Sequence, residues 1–159
     1  MSQKVASERI LYNSERYYIK EANSSETAEL REMFRKFVVG CWNPSPGENL
    51  ILVVIDKEKN RLIGGVEGNI DTENRKALGR GLVVLPEFQG KGIGTKLIKA
   101  AEEELKSRGV LYVKTLPKKE SWKIFKENGY DWTPFVKLEL ARKGKDENEF
   151  HDEFMEKHL

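Results

Sequence analysis

The sequence predicts a mixed α/β fold in which helices flank a central, mostly antiparallel sheet. Short apolar runs rich in Val, Ile and Leu alternate with polar turns, as in a meander of strands. Two longer segments repeat apolar residues at helical spacing. A strand, a glycine-rich loop, a helix and another strand then follow in that order, which predicts one parallel pair of strands.

The N-terminal part is predicted to hold one strand and one helix. Residues 1–16 form a polar extension that we expect to add a helical turn or a strand, and residues 16–22 alternate in polarity as a first strand. Residues 23–25 offer N-cap side chains to a helix. Two prolines and a glycine in residues 41–47 predict an irregular loop after it. The core face of the helix is predicted to comprise Leu30, Met33, Phe34, Phe37 and Val38.

A meander of three antiparallel strands is predicted over residues 50–55, 61–70 and 77–85. Polar turns at residues 56–60 and 71–75 join these strands. The middle strand contains three glycines, and glycines inside a strand usually mark a bulge or a close approach by another chain or a ligand.

The third meander strand is predicted to have a parallel neighbour. A helix from Thr95 to Arg108 carries one apolar stripe, and Gly109 ends it. Residues 110–116 form the next strand, which we expect to lie parallel to residues 81–85 because a helix connects the two. Adjacent parallel strands form a crevice at their carboxyl ends.

The C-terminal part is predicted to add a short helix, a last strand and a charged tail. The helix spans residues 122–128, and the strand spans residues 132–140, with apolar members Phe135, Val136, Leu138 and Leu140. Residues 142–159 are strongly charged and form either a solvated tail or a terminal helix. The apolar face of such a helix would comprise Phe150, Phe154, Met155 and Leu159.

Length and composition predict one soluble domain. A chain of 159 residues can bury one core, which we assign to residues 17–141. The net charge of +2 gives no electrostatic case for nucleic acid or an anionic membrane as a partner. Short apolar runs and a polar N-terminus lead us to expect a cytoplasmic protein. Cys41 is the only cysteine, and His151 and His158 have no clear third ligand, so no metal site is expected.

Residues 89–94, Gln-Gly-Lys-Gly-Ile-Gly, predict a phosphate site. Alternating glycines leave a loop without bulk that accepts positive φ. The helix that follows offers unpaired N–H groups and the positive end of its dipole. A P-loop is excluded because its last glycine precedes Lys and then Ser or Thr, whereas Gly94 precedes Thr95 and Lys96. The spacing also departs from the GxGxxG motif of dinucleotide-binding folds.

Two stretches resemble the GCN5-related N-acetyltransferase family. The first is the pattern L-x-V-x-P-x-x-Q-x-x-G-x-G over residues 82–94, which is similar to the family's acyl-coenzyme A signature. The second is SWKIFKENGY over residues 121–130, a helix that ends in glycine and an aromatic residue. The resemblance covers roughly Tyr17 to Leu140. It implies a parallel strand pair splayed at the cofactor, acetyl-CoA as cosubstrate, and transfer of the acetyl group to a small-molecule or protein amine.

The resemblance assigns coenzyme A to the motif strand and its loop. Backbone groups of Leu82, Val83 and Val84 are expected to bond the pantetheine arm as an added strand would. Trp42, in the loop after the first helix, is the candidate for the wall of the acceptor pocket. Backbone N–H groups expected to hold the pyrophosphate belong to Gln89, Gly90, Lys91, Gly92, Ile93, Gly94 and Thr95.

The family's usual catalytic side chains are absent from their expected positions. Phe125 replaces the tyrosine that protonates the leaving thiolate, and Lys118 replaces a companion asparagine. Leu78 stands where several members have a glutamate. The resemblance therefore identifies the donor more firmly than it identifies the acid and base.

Other side chains are candidates for proton transfer. Glu67 is the leading candidate for the general base, because the glycines around it leave room for an amine. Tyr130 is the leading candidate for the proton donor. Asp71 and Glu87 are weaker candidates for the base, and Tyr112 is an alternative donor. Transfer without a dedicated acid is also feasible, since positioning alone supplies much of the rate.

Three functions remain open at the level of sequence. An acetyl-CoA-dependent N-acetyltransferase is the first. A non-catalytic acyl-CoA-binding module is the second, because the usual tyrosine and glutamate are missing. A nucleotide-binding enzyme is the third and weakest. A homodimer is compatible with the apolar face of the tail.

Overall fold

The computed structural model of the protein describes residues 9–37 and 48–159. Within these ranges four α-helices pack around one eight-stranded sheet, and no helix has the length and apolar character needed to cross a membrane. The strands are Ile10–Asn13 (β1), Tyr17–Glu21 (β2), Glu48–Asp56 (β3), Arg61–Asp71 (β4), Lys76–Val84 (β5), Tyr112–Thr115 (β6), Asp131–Trp132 (β7) and Met155–His158 (β8). The helices are Ser24–Phe37 (α1), Ile93–Ser107 (α2), Trp122–Glu127 (α3) and Pro134–Arg142 (α4).

The order of strands in the sheet is β1-β2-β3-β4-β5-β6-β8-β7. In the part of the chain that the structure describes, β5 and β6 pair in parallel and every other neighbouring pair is antiparallel. The predicted fold class is therefore confirmed. At the edge of the sheet, β1 pairs with β2, so the N-terminal extension contributes an added strand.

Each face of the sheet carries a different helix, because successive side chains of a strand point to opposite faces. On one face, α1 packs Leu30 and Phe34 over Val53. On the other face, α2 packs Leu97 over Leu52, the residue before Val53. All five side chains are fully buried, and burying each one stabilises the fold by about 1.5–3 kcal/mol.

A bulge interrupts the pairing of β4 with β5. Glu67 pairs with Gly81 whereas Gly68 pairs with Gly79, so Arg80 is an extra residue in β5. The glycines of β4 thus mark a bulge, as glycines inside a strand often do. This bulge places Glu67 and Arg80 close together near the middle of the sheet.

The prediction of a strand over residues 132–140 is wrong. The strand β7 ends at Trp132, and α4 begins at Pro134. Thr133 caps α4 by accepting a hydrogen bond from the N–H of Val136, and Pro134 occupies the first turn, where its missing N–H costs nothing. Val136 and Leu140 are buried four residues apart, so the apolar period is helical. The exposed apolar residues of α4 are Phe135 and Leu138.

The cap of α4 leads to a testable prediction. Thr133→Ala removes the hydroxyl that accepts the N–H of Val136, and we expect a loss of about 1 kcal/mol in the free energy of unfolding. Thr133→Ser keeps a hydroxyl and is expected to stay close to wild type. Urea unfolding of the three proteins measures the difference, and equal stability of all three would mean that the cap contributes nothing.

The C-terminal tail does not form the terminal helix considered from the sequence. Its end is the strand β8, which inserts between β6 and β7 and runs antiparallel to both. Met155 is fully buried in this strand. The insertion supplies hydrogen-bond partners to the backbone groups on the side of β6 that faces away from β5, which would otherwise form an open edge.

Candidate active site

The parallel strand pair opens at the end where the glycine loop begins. Pairing between β5 and β6 stops at Gly79 and Thr115, whereas β5 continues to Val84. On its other side, β5 stays paired with β4 through residues 82–84. Alternate backbone groups of residues 82–84 therefore face a gap that β6 does not fill. A ligand with amide groups can bond this open edge as an added strand would.

The glycine loop leaves the N-terminus of α2 accessible. Gly90 and Gly92 have φ values of +76° and +81°, and no atom lies within 4 Å of the position that a Cβ would take in either. Gly92 caps α2, and no side chain bonds the first N–H groups of the helix. These N–H groups and the helix dipole can hold an anion such as a phosphate.

Gln89 ties the loop to the strand before it. Its Nε2 donates a hydrogen bond to the carbonyl oxygen of Val84 at 2.9 Å. Lys91 lies in the same loop, with its Nζ 5.6 Å from the centre of the Phe88 ring. The backbone N–H of Gln89 also donates to the carbonyl oxygen of Pro86 at 3.2 Å, so Gln89 anchors the loop, and its N–H is not one of the groups that remain for a ligand.

One cleft of about 710 Å³ connects the gap, the loop and the bulge. Every residue predicted to bind coenzyme A lines this cleft except Lys91. Glu67 and Tyr130, the candidate base and acid, line it as well. The structure therefore brings the predicted cofactor residues and both leading catalytic candidates into one continuous space.

Glu67 is a fully buried carboxylate in the wall of this cleft. Its Oε1 accepts a hydrogen bond from Nε of Arg31 in α1 at 3.0 Å. Its Oε2 has no hydrogen-bond partner among residues 9–37 and 48–159. Burial raises the pKa of Glu67 above that of an ordinary glutamate, although Arg31 and, less strongly, Arg80 act in the opposite direction. A carboxylate with one oxygen available can bind an amine and accept its proton.

Tyr130 lies at the opposite side of the cleft. Its ring packs edge-on against Phe125, with centroids 5.1 Å apart, and its hydroxyl lies in the electrostatic field of the Glu102 carboxylate in α2. Nζ of Lys157 in β8 donates to the same carboxylate at 2.9 Å and to the carbonyl of Asn128 at 2.8 Å. Burial, and then the Glu102 carboxylate, raises the pKa of Tyr130 well above the usual range. The hydroxyl therefore stays protonated and is a poor acid.

Family membership follows from the sequence match. The sequence model described as the acetyltransferase (GNAT) family matches residues 11–130. The chain belongs to the GNAT acetyltransferase family. The match ends at Tyr130, so α4 and β8 lie outside it. A search of curated proteins by sequence found no match.

Solved GNAT structures share the fold. A GNAT-family acetyltransferase from Staphylococcus aureus Mu50 has a TM-score of 0.67 at 14% identity, over 90% of this chain and 99% of that chain. GCN5 from Tetrahymena has a TM-score of 0.58 at 20% identity, over 97% and 96%. The PaiA N-acetyltransferase from Thermoplasma acidophilum, solved in complex with coenzyme A, has a TM-score of 0.54 at 23% identity, over 70% and 62%. Identities this low are evidence for the fold and do not extend to substrates.

This GNAT chain departs from the usual family side chains inside the cleft. Phe125 lines the cleft and presents an apolar ring where the sequence resemblance implies tyrosine. Lys118 lines the cleft in the loop before α3. Leu78 pairs with Asn69 and Lys114 in the sheet and does not line the cleft. Position 125 therefore supplies no hydroxyl to the cleft. The tyrosine that packs against Phe125 is Tyr130.

The weaker candidates from the sequence lie away from the cleft. Asp71 is the last residue of β4, where hydrogen bonds from Asn74 in the following turn hold its pKa below the usual range. Glu87 is exposed and pairs with Arg61. The hydroxyl of Tyr112 bonds Glu156, and burial together with this bond raises its pKa to about 12. Trp42, the candidate for the acceptor pocket, lies outside the described residues.

The charged groups around the two catalytic candidates come from distant parts of the sequence. Arg31 is 36 positions from Glu67, and Lys157 is 55 positions from Glu102. Arg31 is next to Leu30 in sequence and lies at the edge of the predicted apolar stripe of the first helix. This position was the one sequence signal that it could reach the sheet. Lys157 lies in the charged C-terminal segment, where the sequence predicts no strand. No sequence pattern therefore places it near the cleft.

Proposed function

We propose that the protein is an N-acetyltransferase that transfers an acetyl group from acetyl-CoA directly to an amine. One observation supports this most strongly. A single cleft leads from the glycine loop and the open edge of β5 to Glu67, whose buried Oε2 has no hydrogen-bond partner among residues 9–37 and 48–159. A donor site and a buried base thus share one space, as direct transfer requires.

The cosubstrate would be held by backbone groups. When bound, acetyl-CoA supplies the activated thioester. The N–H groups of residues 90–95 would hold the pyrophosphate, and the open edge of residues 82–84 would bond the pantetheine arm. A backbone N–H of the same edge would stabilise the carbonyl oxygen as it gains charge.

Glu67 would accept the proton of the attacking amine. Its Oε2 has no hydrogen-bond partner among the described residues, its pKa is raised by burial, and Arg31 fixes the other oxygen. A base with a raised pKa retains more affinity for the proton at neutral pH than an exposed glutamate does. Tyr130 would serve as a hydrogen-bonding group in the cleft, and the thiolate would leave without a dedicated strong acid.

The acceptor would be a primary amine on a small molecule or a protein, and the cytoplasm would be the compartment. A thiol-release assay with acetyl-CoA and a panel of small amines and peptides tests the proposal. We expect turnover with at least one class of amine. Tight binding of acetyl-CoA with no turnover on any amine would instead favour an acyl-CoA-binding module. Tighter binding of ATP or NAD than of acetyl-CoA would contradict the donor assignment.

A further inference from the structure

The cleft continues beyond the gap between β5 and β6. It follows α2 from Ile93 to Leu105, which is about 18 Å of helix. Along the sheet it reaches Ala77, three residues before Arg80 and hence about 10 Å deeper than the bulge. The cleft is therefore longer than the stretch of β5 assigned to the pantetheine arm.

The deep part of the cleft lies between the sheet and α2. Ala77 and Val113 are paired there in the parallel ladder, so no ligand can pass between the two strands at this level. Both residues belong to the core on the α2 face, opposite the face where Glu67 meets Arg31 of α1. A group that enters this part would lie under α2, away from the side from which Glu67 would receive an amine.

The lining of this deep part is apolar, and we name it the acyl recess. It is defined by Leu50, Ala77, Ile98, Ala101, Leu105 and Val113. Two of the six are alanines, one from each wall, which leave more space than larger aliphatic residues would. Tyr130 and Glu102 lie at its margin, where Oε1 of Glu102 accepts a hydrogen bond from Nζ of Lys157. The buried Oε2 of Glu102 has no hydrogen-bond partner among residues 9–37 and 48–159, so the recess offers a ligand apolar contact along its six defining residues and one polar atom at its margin.

We propose that the acyl recess receives an aliphatic acyl chain longer than acetyl, so that the donors include short- to medium-chain acyl-CoA thioesters. This inference rests on the proposed donor site, because the recess continues the space assigned to coenzyme A. An acyl chain attached to the thioester would extend from the gap into the recess, because the two are parts of one cleft. Apolar burial would then favour each added methylene.

Calorimetric titration with coenzyme A, acetyl-CoA, butyryl-CoA and hexanoyl-CoA tests the inference without a known acceptor. Each methylene that enters the recess is expected to lower Kd about fourfold, until the chain exceeds the space. Butyryl-CoA would then bind more than tenfold tighter than acetyl-CoA. Butyryl- and hexanoyl-CoA binding more weakly than acetyl-CoA would overturn the inference and leave the acetyltransferase proposal in place. Failure of all four to bind would overturn both.

Two filling variants check the location. Ala101→Leu and Ala77→Val add bulk from opposite walls of the recess. We expect each variant to lower the ratio of the acetyl-CoA Kd to the butyryl-CoA Kd toward one, while the Kd of acetyl-CoA changes by about twofold or less. Ala141→Leu, at an exposed position of α4, is the matched control and should keep the preference. If the filling variants fold and retain the full preference, the chain does not enter the recess.

Discussion

Replacing Gly92 with glutamate is expected to weaken coenzyme A binding by about 100-fold or more. Gly92 caps α2 with open space around it, so a side chain would stand among the N–H groups assigned to the pyrophosphate. The added carboxylate would compete for these donors and repel the phosphate charge. Each hydrogen bond to a charged group contributes about 1.5–3 kcal/mol, so the loss of two accounts for the factor. Calorimetric titration with coenzyme A measures it.

Gly109→Glu provides a matched control at the other end of α2. Gly109 has a φ of +86°, and it too has no atom within 4 Å of a Cβ position. Both substitutions therefore carry a similar backbone strain of about 1–2 kcal/mol and add the same charge. About 25 Å of helix separates the two sites. Unchanged affinity in Gly92→Glu, or an equal loss in both variants, would contradict the phosphate site.

The cofactor half of the site was predictable because its determinants are local in sequence. A strand, three alternating glycines and a helix start lie within residues 82–95, and positive φ at Gly90 and Gly92 depends on residue type alone. Local spacing also separates this loop from other phosphate-binding loops. In the structure all but one of these candidate residues line one cleft, and their role in binding coenzyme A stays a prediction.

The catalytic half depends on contacts that are distant in sequence. Whether Glu67 is a solvated strand residue or a buried base is decided by α1, which supplies Arg31, and by the bulge at Arg80. A lone glutamate among glycines is equally consistent with either environment. Periodicity of apolar residues does not report such pairings, so the sequence could rank Glu67 first and could not describe its surroundings.

The two errors in the fold have different physical origins. Residues 132–140 contain enough β-branched and aromatic residues for a strand, but the cap at Thr133 and the proline after it start a helix. The last strand of the chain is instead formed by residues 155–158, which contain few apolar residues. Main-chain pairing with β6 and burial of Met155 stabilise that strand, and tertiary context thereby overrides local composition.

Glu67→Gln is expected to lower kcat by about 100-fold at neutral pH without changing the affinity for acetyl-CoA. Glutamine keeps the shape and an acceptor for Arg31 but cannot take up the proton of the amine. Stability should be retained. The folded pKa of Glu67 lies above the unfolded one, so the wild type loses stability as pH rises through the window between them, and the variant lacks this loss. Steady-state kinetics, calorimetry and thermal unfolding measure the three effects.

Arg31→Gln tests whether the titration of Glu67 controls the rate. Arg31 from α1 and Arg80 from β5 are the cations that lower the pKa of the buried carboxylate, so removing Arg31 should raise that pKa further. Because the base must be ionised, the acidic limb of kcat/KM against pH should move to higher pH by about one unit or more. Arg35→Gln, one turn along α1 at an exposed ion pair with Glu32, is the control and should leave the profile in place. Two outcomes would exclude Glu67 as the base. The acidic limb of kcat/KM against pH would stay in place in Arg31→Gln, or it would remain unchanged in Glu67→Gln, and either result would mean that another group titrates.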